Sequence, residues 1–344
     1  MLPRLALSLL LVLLAPVAAQ NAPAASPDNR PGLTQPDLKP PDMSKVPWSP
    51  VRRSPAPGQS APAPTIQVNV KLVSVFASVA DRDGVPYAKL KKEDFRIFED
   101  GIEQKVAVFE RESELPLSIV MALDTSMSTR KDLPLEIASA RKFVHTVLRP
   151  VDSIALYQFA TYVSQAMPFT NDEREVDSRL DHLRTGAATA LYDAIFVGAG
   201  ALQRRQGRKV IVLITDGGDT ASKADYQEAL RAAQIAESII YSIIMVPIEA
   251  DAGRDLGGEH ALIQLSRDTG GGYYYATSLA QLDDAFRQIS DEFRTQYLLA
   301  YYPESRVGAE FRRIRVEITD EARQSAQREL SVRHRAGYYN SKIE

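Results

Sequence analysis

Three short runs of oxygen-bearing side chains stand out along this 344-residue sequence. Asp124-Thr125-Ser126-Met127-Ser128 sets an acid and two hydroxyls at alternate positions. Thr189 closes the small-residue run Thr185-Gly186-Ala187-Ala188, and Asp216 opens Asp216-Gly217-Gly218. Such a set suits a hard divalent cation: Mg2+ takes about six oxygen ligands and keeps several waters, and Mn2+ or Ca2+ accepts similar donors. Ser126 and Ser128 could coordinate from one tight loop, with Thr189 adding a third hydroxyl. Asp124 and Asp216 could supply negative charge directly or through water. So few anions leave a doubly charged ion electrophilic, and a carboxylate from a partner could complete its shell. That is chemistry for binding, without turnover.

Each run also has an ordinary structural use. Asp-x-Ser-x-Ser can cap a following helix, Thr189 can be an N-cap, and Asp216-Gly217 can be a turn. What favours the metal reading is that all three fall at predicted strand ends, where open α/β sheets bind ligands. Asp193 and Asp219 stand open between two roles: orienting hydroxyls or metal-held water from behind, or capping helices. Other chemistries lack their residues. The sequence holds no Gly-x-Ser-x-Gly elbow, no His-Glu-x-x-His pair and no Gly-x-x-x-x-Gly-Lys loop, so no enzyme class is indicated. Its four histidines, 145, 182, 260 and 334, are far apart in sequence, and the absence of cysteine excludes thiolate sites and a lipid-modified cysteine.

The elements that must carry these residues are legible as a change of pattern. Leu117 to Leu123 is a near-continuous apolar run, Lys209 to Thr215 forms a second apolar strand, and both fit strands buried on two faces. Ile154–Phe159 and Val163–Phe169 read as a hairpin, Ile239–Val246 as a buried strand and Tyr273–Tyr275 as a short one. Helical spacing marks 131–148, 174–183, 190–205, 225–238, 259–268 and the amphipathic run Leu279 to Phe293. The alternation predicts a doubly wound, mostly parallel six-stranded α/β sheet with helices on both faces over 113–296. Flanking it, 66–112 reads as a β unit. There Val68, Val70 and Leu72 alternate with polar residues, Val75–Val79 continues the strand signal, and Phe95–Phe98 turns at Asp100-Gly101 into Val106–Phe109. Strands at 297–302, 311–318 and 330–339 make up a C-terminal part, 297–344. The simplest arrangement pairs them with 66–112 as a small β-sandwich-like module.

With the elements in place, a resemblance is plain. Ile119 to Ser128, Thr189-Ala190-Leu191-Tyr192-Asp193-Ala194 and Ile214-Thr215-Asp216-Gly217-Gly218-Asp219 resemble von Willebrand factor type A domains with a metal-ion-dependent adhesion site, over about 113–296. The flanking β segments, with Asp94 to Gly101, are similar to exported bacterial proteins related to that family. The resemblance implies a Rossmann-like fold and a metal site of Asp124, Ser126, Ser128, Thr189 and Asp216, with all five positions matching.

The N-terminus has a secretory layout: Arg4, an apolar stretch Leu5–Leu14, Pro16, then Val17-Ala18-Ala19 before a cleavage point, with a retained anchor as the alternative. Residues 20–65 contain 12 of the 21 prolines and read as a disordered linker. A net charge of −3 and dispersed basic residues argue against nucleic acid or an anionic membrane as partner, and no second stretch can span a bilayer. The expectation is an exported, periplasmic or extracellular protein that recognises an acidic group on a protein partner through a bound Mg2+ (or Mn2+/Ca2+). The rival expectation is a structural or assembly module of the cell envelope, with contacts made by the β module and tether and the metal only structural. The sequence does not indicate an oligomeric state.

Overall fold

The computed structural model describes residues 72–111, 115–246, 255–303 and 310–340. The leader-like segment 1–19, the proline-rich 20–65 and the alternation over 66–71 lie outside the described residues.

The central sheet is built from β5 (Leu117–Asp124), β6 (Ser153–Phe159), β7 (Val163–Thr170), β8 (Arg208–Thr215), β9 (Ser238–Met245) and β10 (Tyr273–Ala276), in the order β10-β9-β8-β5-β6-β7. All neighbours are parallel except β7, which turns back along β6 as an edge hairpin. Six helices connect or follow these strands: α1 (Leu133–Val147), α2 (Glu173–Leu180), α3 (Leu191–Leu202), α4 (Tyr226–Ile235), α5 (Leu256–Thr269) and α6 (Leu279–Thr295). They cover both faces. Every residue of β5 is buried. Its pleat sends Ile119, Met121 and Leu123 into one core with Phe143, Val144, Phe286 and Ile289 of α1 and α6. Val120 and Ala122 go into the other, with Leu191, Ala194, Ile195 and Leu265 of α3 and α5. Burial on both faces is why this run is apolar without alternation.

The remaining strands form two four-stranded sheets. β1 (Val73–Asp81), β4 (Val106–Arg111), β11 (Tyr297–Tyr301) and β13 (Leu330–Arg333) lie in the order β13-β1-β11-β4. β2 (Phe95–Glu99), β3 (Ile102–Gln104), β12 (Phe311–Ile318) and β14 (Gly337–Tyr339) lie in the order β14-β12-β2-β3. Val75, Ala77, Tyr297 and Leu299 of the first sheet share one core with Ile97, Ile314 and Val316 of the second.

Two local expectations need correction. Phe95–Phe98 does not form a hairpin with Val106–Phe109. Asp100 and Gly101 adopt φ of +48° and +84°, the left-handed pair of a two-residue hairpin turn, so β2 pairs at once with Ile102–Gln104, while β4 joins the other sheet beside β11. The run 330–339 is not one strand either. β13 pairs with β1 and β14 with β12, and the bridge between them is tied down at His334, whose Nε2 accepts from Val316 N–H at 3.0 Å. A short helix, α7 (Asp320–Ala326), was not anticipated. Its signal was the cap Thr319 followed by Asp320 and Glu321.

Candidate functional site

The order of the central sheet reverses at β5: the chain passes to β6 and β7 on one side, then returns to β8 on the other. Ligand crevices of open α/β sheets form at such a point, outside the carboxyl ends of the strands. Asp124 is the last residue of β5. Thr215 is the last of β8, and Asp216 follows it.

The loop after β5 is shaped by its own polar groups. Asp124 accepts the backbone N–H of Ser126 on Oδ1 at 2.9 Å and the hydroxyl of Thr215 on Oδ2 at 2.7 Å. The first bond curls the chain, leaving the Oγ atoms of Ser126 and Ser128 3.0 Å apart. The Thr129 hydroxyl closes the loop by donating to the carbonyls of Asp124 and Ser126 at 2.9 and 3.2 Å. The loop bearing Thr189 is stitched to both neighbours. Gly186 N–H donates to the Thr125 carbonyl at 2.8 Å, Thr189 N–H to the Thr220 hydroxyl at 2.9 Å, and the Thr189 carbonyl accepts Thr220 and Ala221 N–H at 2.8 and 3.0 Å. These bonds bring the loops of Asp124, Thr189 and Asp216 together by backbone as much as by side chain.

Asp219 and Asp193 serve the same stitching. Asp219 Oδ1 accepts the N–H groups of Leu191 and Tyr192 at 2.8 and 3.3 Å, capping α3 from a distant loop where its own N-cap, Ala190, has no side chain to do so. Asp193 accepts the N–H groups of Lys223 and Ala224 at 3.1 and 2.9 Å. Gly217 sits at φ +105°, and the first turn of α5 packs so closely on it that a Cβ at Gly258 would overlap the Gly217 carbonyl. Gly258→Ala is therefore expected to cost about 1–3 kcal/mol of stability in urea unfolding, as overpacking does; a change under about 0.5 kcal/mol would mean that α5 shifts freely.

The electrostatics are those of a buried, acidic site. Asp124 is fully buried. Burial lifts its carboxyl from 3.8 to about 6, nearby Asp216 pushes the same way, and the bonds from Thr215 and Ser126 oppose the rise. Glu136, in the first turn of α1, is also fully buried, and among the described residues neither of its carboxyl oxygens has a hydrogen-bond partner. Burial first, then the charges of Asp124, Asp132 and Asp216, holds it well above the ordinary carboxylate range. It was not singled out in the sequence. Its signal was an acid on the stripe that continues through Ala140, Phe143, Val144 and Val147.

The sign of the resulting pH dependence is fixed. An unfolded Asp124 ionises near 3.8 and the folded one near 6. The metal-free fold thus carries no penalty from this residue below pH 3.8 and loses up to about 3 kcal/mol as pH rises through 6. In chelator, unfolding is expected to require about 1 kcal/mol more at pH 5 than at pH 7 on this account. Saturating Mn2+ should reverse the trend, because binding favours the ionised acid. Stability in chelator that climbs from pH 5 to pH 7 would contradict the environment described for Asp124.

Among the described residues no group of three or more His, Cys, Asp or Glu side chains is arranged to hold a metal ion. The candidate set differs in kind, since three of its five members are hydroxyls. Oxygen-only donors, with a paired hydroxyl and ionisable acids behind them, fit Mg2+, Mn2+ or Ca2+ and do not fit a soft metal. Among the described residues no helix is long and apolar enough to cross a membrane.

Residues 119–218 match the family model of the von Willebrand factor type A domain. Among solved structures, the conserved hypothetical protein BatB from Bacteroides thetaiotaomicron is similar at 20% identity, over 51% of this chain and 98% of that one, with a TM-score of 0.42. The vWF domain of the type V pili tip protein Mfa5 from Porphyromonas gingivalis is similar at 16% identity, over 51% and 94%, with a TM-score of 0.43. The PilB minor pilin from Streptococcus sanguinis is similar at 14% identity, over 53% and 62%, also with a TM-score of 0.43. No curated protein matches the chain. The matched stretch takes in Asp124, Ser126, Ser128, Thr189 and Asp216, so the similarity to the von Willebrand factor type A domain extends over all five candidate residues.

Proposed function

We propose that this chain is an exported, non-enzymatic binding protein that takes up Mg2+ (or Mn2+/Ca2+) at the crest of its von Willebrand factor type A domain and there recognises an acidic group on a protein partner. The observation that carries the reading is the hydroxyl pair of Ser126 and Ser128, 3.0 Å apart at the sheet's switch point, beside a buried Asp124 that feels the charge of Asp216. Ser126, Ser128 and Thr189 would hold the ion, with Asp124 and Asp216 supplying charge directly or through water. Bound there, the cation would offer a coordination position to an incoming carboxylate.

The surroundings support a protein as the partner. Met127 on the Ser126–Ser128 loop, Tyr162 at the turn after β6 and Leu256 at the start of α5 are 61%, 78% and 68% exposed. All three stand at the end of the sheet where Asp124 and Asp216 lie. Apolar and aromatic side chains around a polar centre are the usual make-up of a binding patch. The leader-like residues 1–19 support export.

Calorimetric titration of the full chain with MnCl2, followed by capture of partners from an envelope extract with and without chelator, tests the proposal. Heat of binding and chelator-sensitive capture are expected. Absence of any divalent-ion heat overturns it, and capture indifferent to chelator favours the structural or assembly role.

A further inference from the structure

The buried stripe of α1 consists of Leu133, Glu136, Ser139, Ala140, Phe143, Val144 and Val147. Glu136 is the exception to it. Its carboxyl is removed from water, yet neither oxygen is hydrogen-bonded among the described residues. Ser139, the other polar member, donates to Asp283 at 2.6 Å. Desolvating a carboxyl without a partner is costly, so an acid kept in such a place calls for something that satisfies it.

Its position says what that is. α1 follows the 124–128 loop through the 3-10 turn Thr129–Lys131, whose Thr129 hydroxyl is bonded into that loop. Glu136 therefore lies in the first turn, at the crest end, on the helix face packed against the sheet. The charges felt at its carboxyl are those of Asp124, Asp132 and Asp216. Among the described residues no three acids are grouped to hold an ion among themselves, so the arrangement favours Glu136 acting through water over direct ligation.

We infer that Glu136 is a sixth residue of the cation site, its carboxylate accepting hydrogen bonds from water held on the bound ion and adding negative charge behind Asp124 and Asp216. The inference rests on the cation-binding reading above. It also revises the charge balance: a site with two acids in its sequence motif works with three in space. In the metal-free protein Glu136 is a liability, and on ion binding it becomes a partner.

The test compares full-length wild type, Glu136→Gln and Glu136→Asp by Mn2+ titration calorimetry and by thermal unfolding in chelator. Glu136→Gln keeps the volume and removes the charge. Its Mn2+ dissociation constant is expected to rise roughly 10- to 100-fold, as loss of a group behind the ligands does, while its metal-free form unfolds at a higher temperature than the wild type. Glu136→Asp, which keeps the charge on a shorter arm, should bind Mn2+ more tightly than Glu136→Gln. A carboxyl with a merely structural role would give the opposite pattern, with unchanged Mn2+ affinity and a lower metal-free melting temperature. A Glu136→Gln dissociation constant within about twofold of the wild type's overturns this inference alone. A wild-type chain that takes up no Mn2+ overturns both it and the parent reading.

Discussion

Asp124→Ala is expected to abolish the calorimetric uptake of Mg2+ and Mn2+ while far-ultraviolet circular dichroism stays that of the wild type. Two consequences of the substitution pull against each other in the metal-free fold. The Ser126 N–H and the Thr215 hydroxyl lose their acceptor, at about 1–3 kcal/mol for each donor left buried and unpaired. Against this, a carboxyl that burial and Asp216 make costly to ionise at neutral pH is gone. The net change in stability is therefore small compared with the loss of binding, which is complete because the residue shapes the Ser126–Ser128 loop and also supplies its charge. Thr189→Ala offers the cleaner comparison. Its backbone bonds to Thr220 and Ala221 do not involve its side chain, so the loop stays stitched and only the hydroxyl and one methyl disappear. Loss of ion binding by Thr189→Ala with an unchanged melting temperature is the expected result. Wild-type affinity in either variant would remove that residue from the site.

The second large effect lies away from the crest. Glu292→Ala is expected to destabilise the chain by about 3–5 kcal/mol, read as a lower urea midpoint. Glu292 on α6 is buried, and its carboxylate gathers donors from four strands. Ser78 of β1 and Tyr241 of β9 donate to Oε1 at 2.5 and 2.7 Å, and Tyr274 of β10 and the guanidinium of Arg333 of β13 donate to Oε2. Gln296 extends the network by donating to Ser78 and Tyr241 at 3.2 and 3.0 Å. Removing the acid leaves Arg333 and three hydroxyls without it, and breaking a buried pair from one side costs far more than the pair is worth intact. The network joins the central sheet to the β13-β1-β11-β4 sheet just where α6 runs into β11. A loss below about 1 kcal/mol would mean that water replaces the carboxylate there and that the joint is softer than its bonds imply.

The central sheet was legible in the sequence because its signal is local and strong. Leu117–Leu123 is apolar but for Ser118 and Val210–Ile214 is apolar throughout, and that pattern has few readings other than a strand covered on both faces. The flanking strands were legible as strands but not as partners. Nothing in 95–109 says that the Asp100-Gly101 turn brings back Ile102–Gln104 before Val106–Phe109. Likewise, no local pattern says that 330–339 serves two sheets. Pairing in antiparallel sheets is settled by which apolar faces meet, and many registers share the same alternation.

The site divides the same way. Residue type and order alone determined that Asp124, Ser126, Ser128 and Asp216 offer oxygen at the ends of predicted strands and Thr189 just before a predicted helix, because element ends and hydroxyl spacing can be read along the chain. Tertiary structure alone decided that Asp219 and Asp193 hold backbone across loops, and that the acid of a helix's first turn, Glu136, is buried within the field of Asp124 and Asp216. Burial and the field of distant charges depend on every element packed around a group, and no window of sequence contains them.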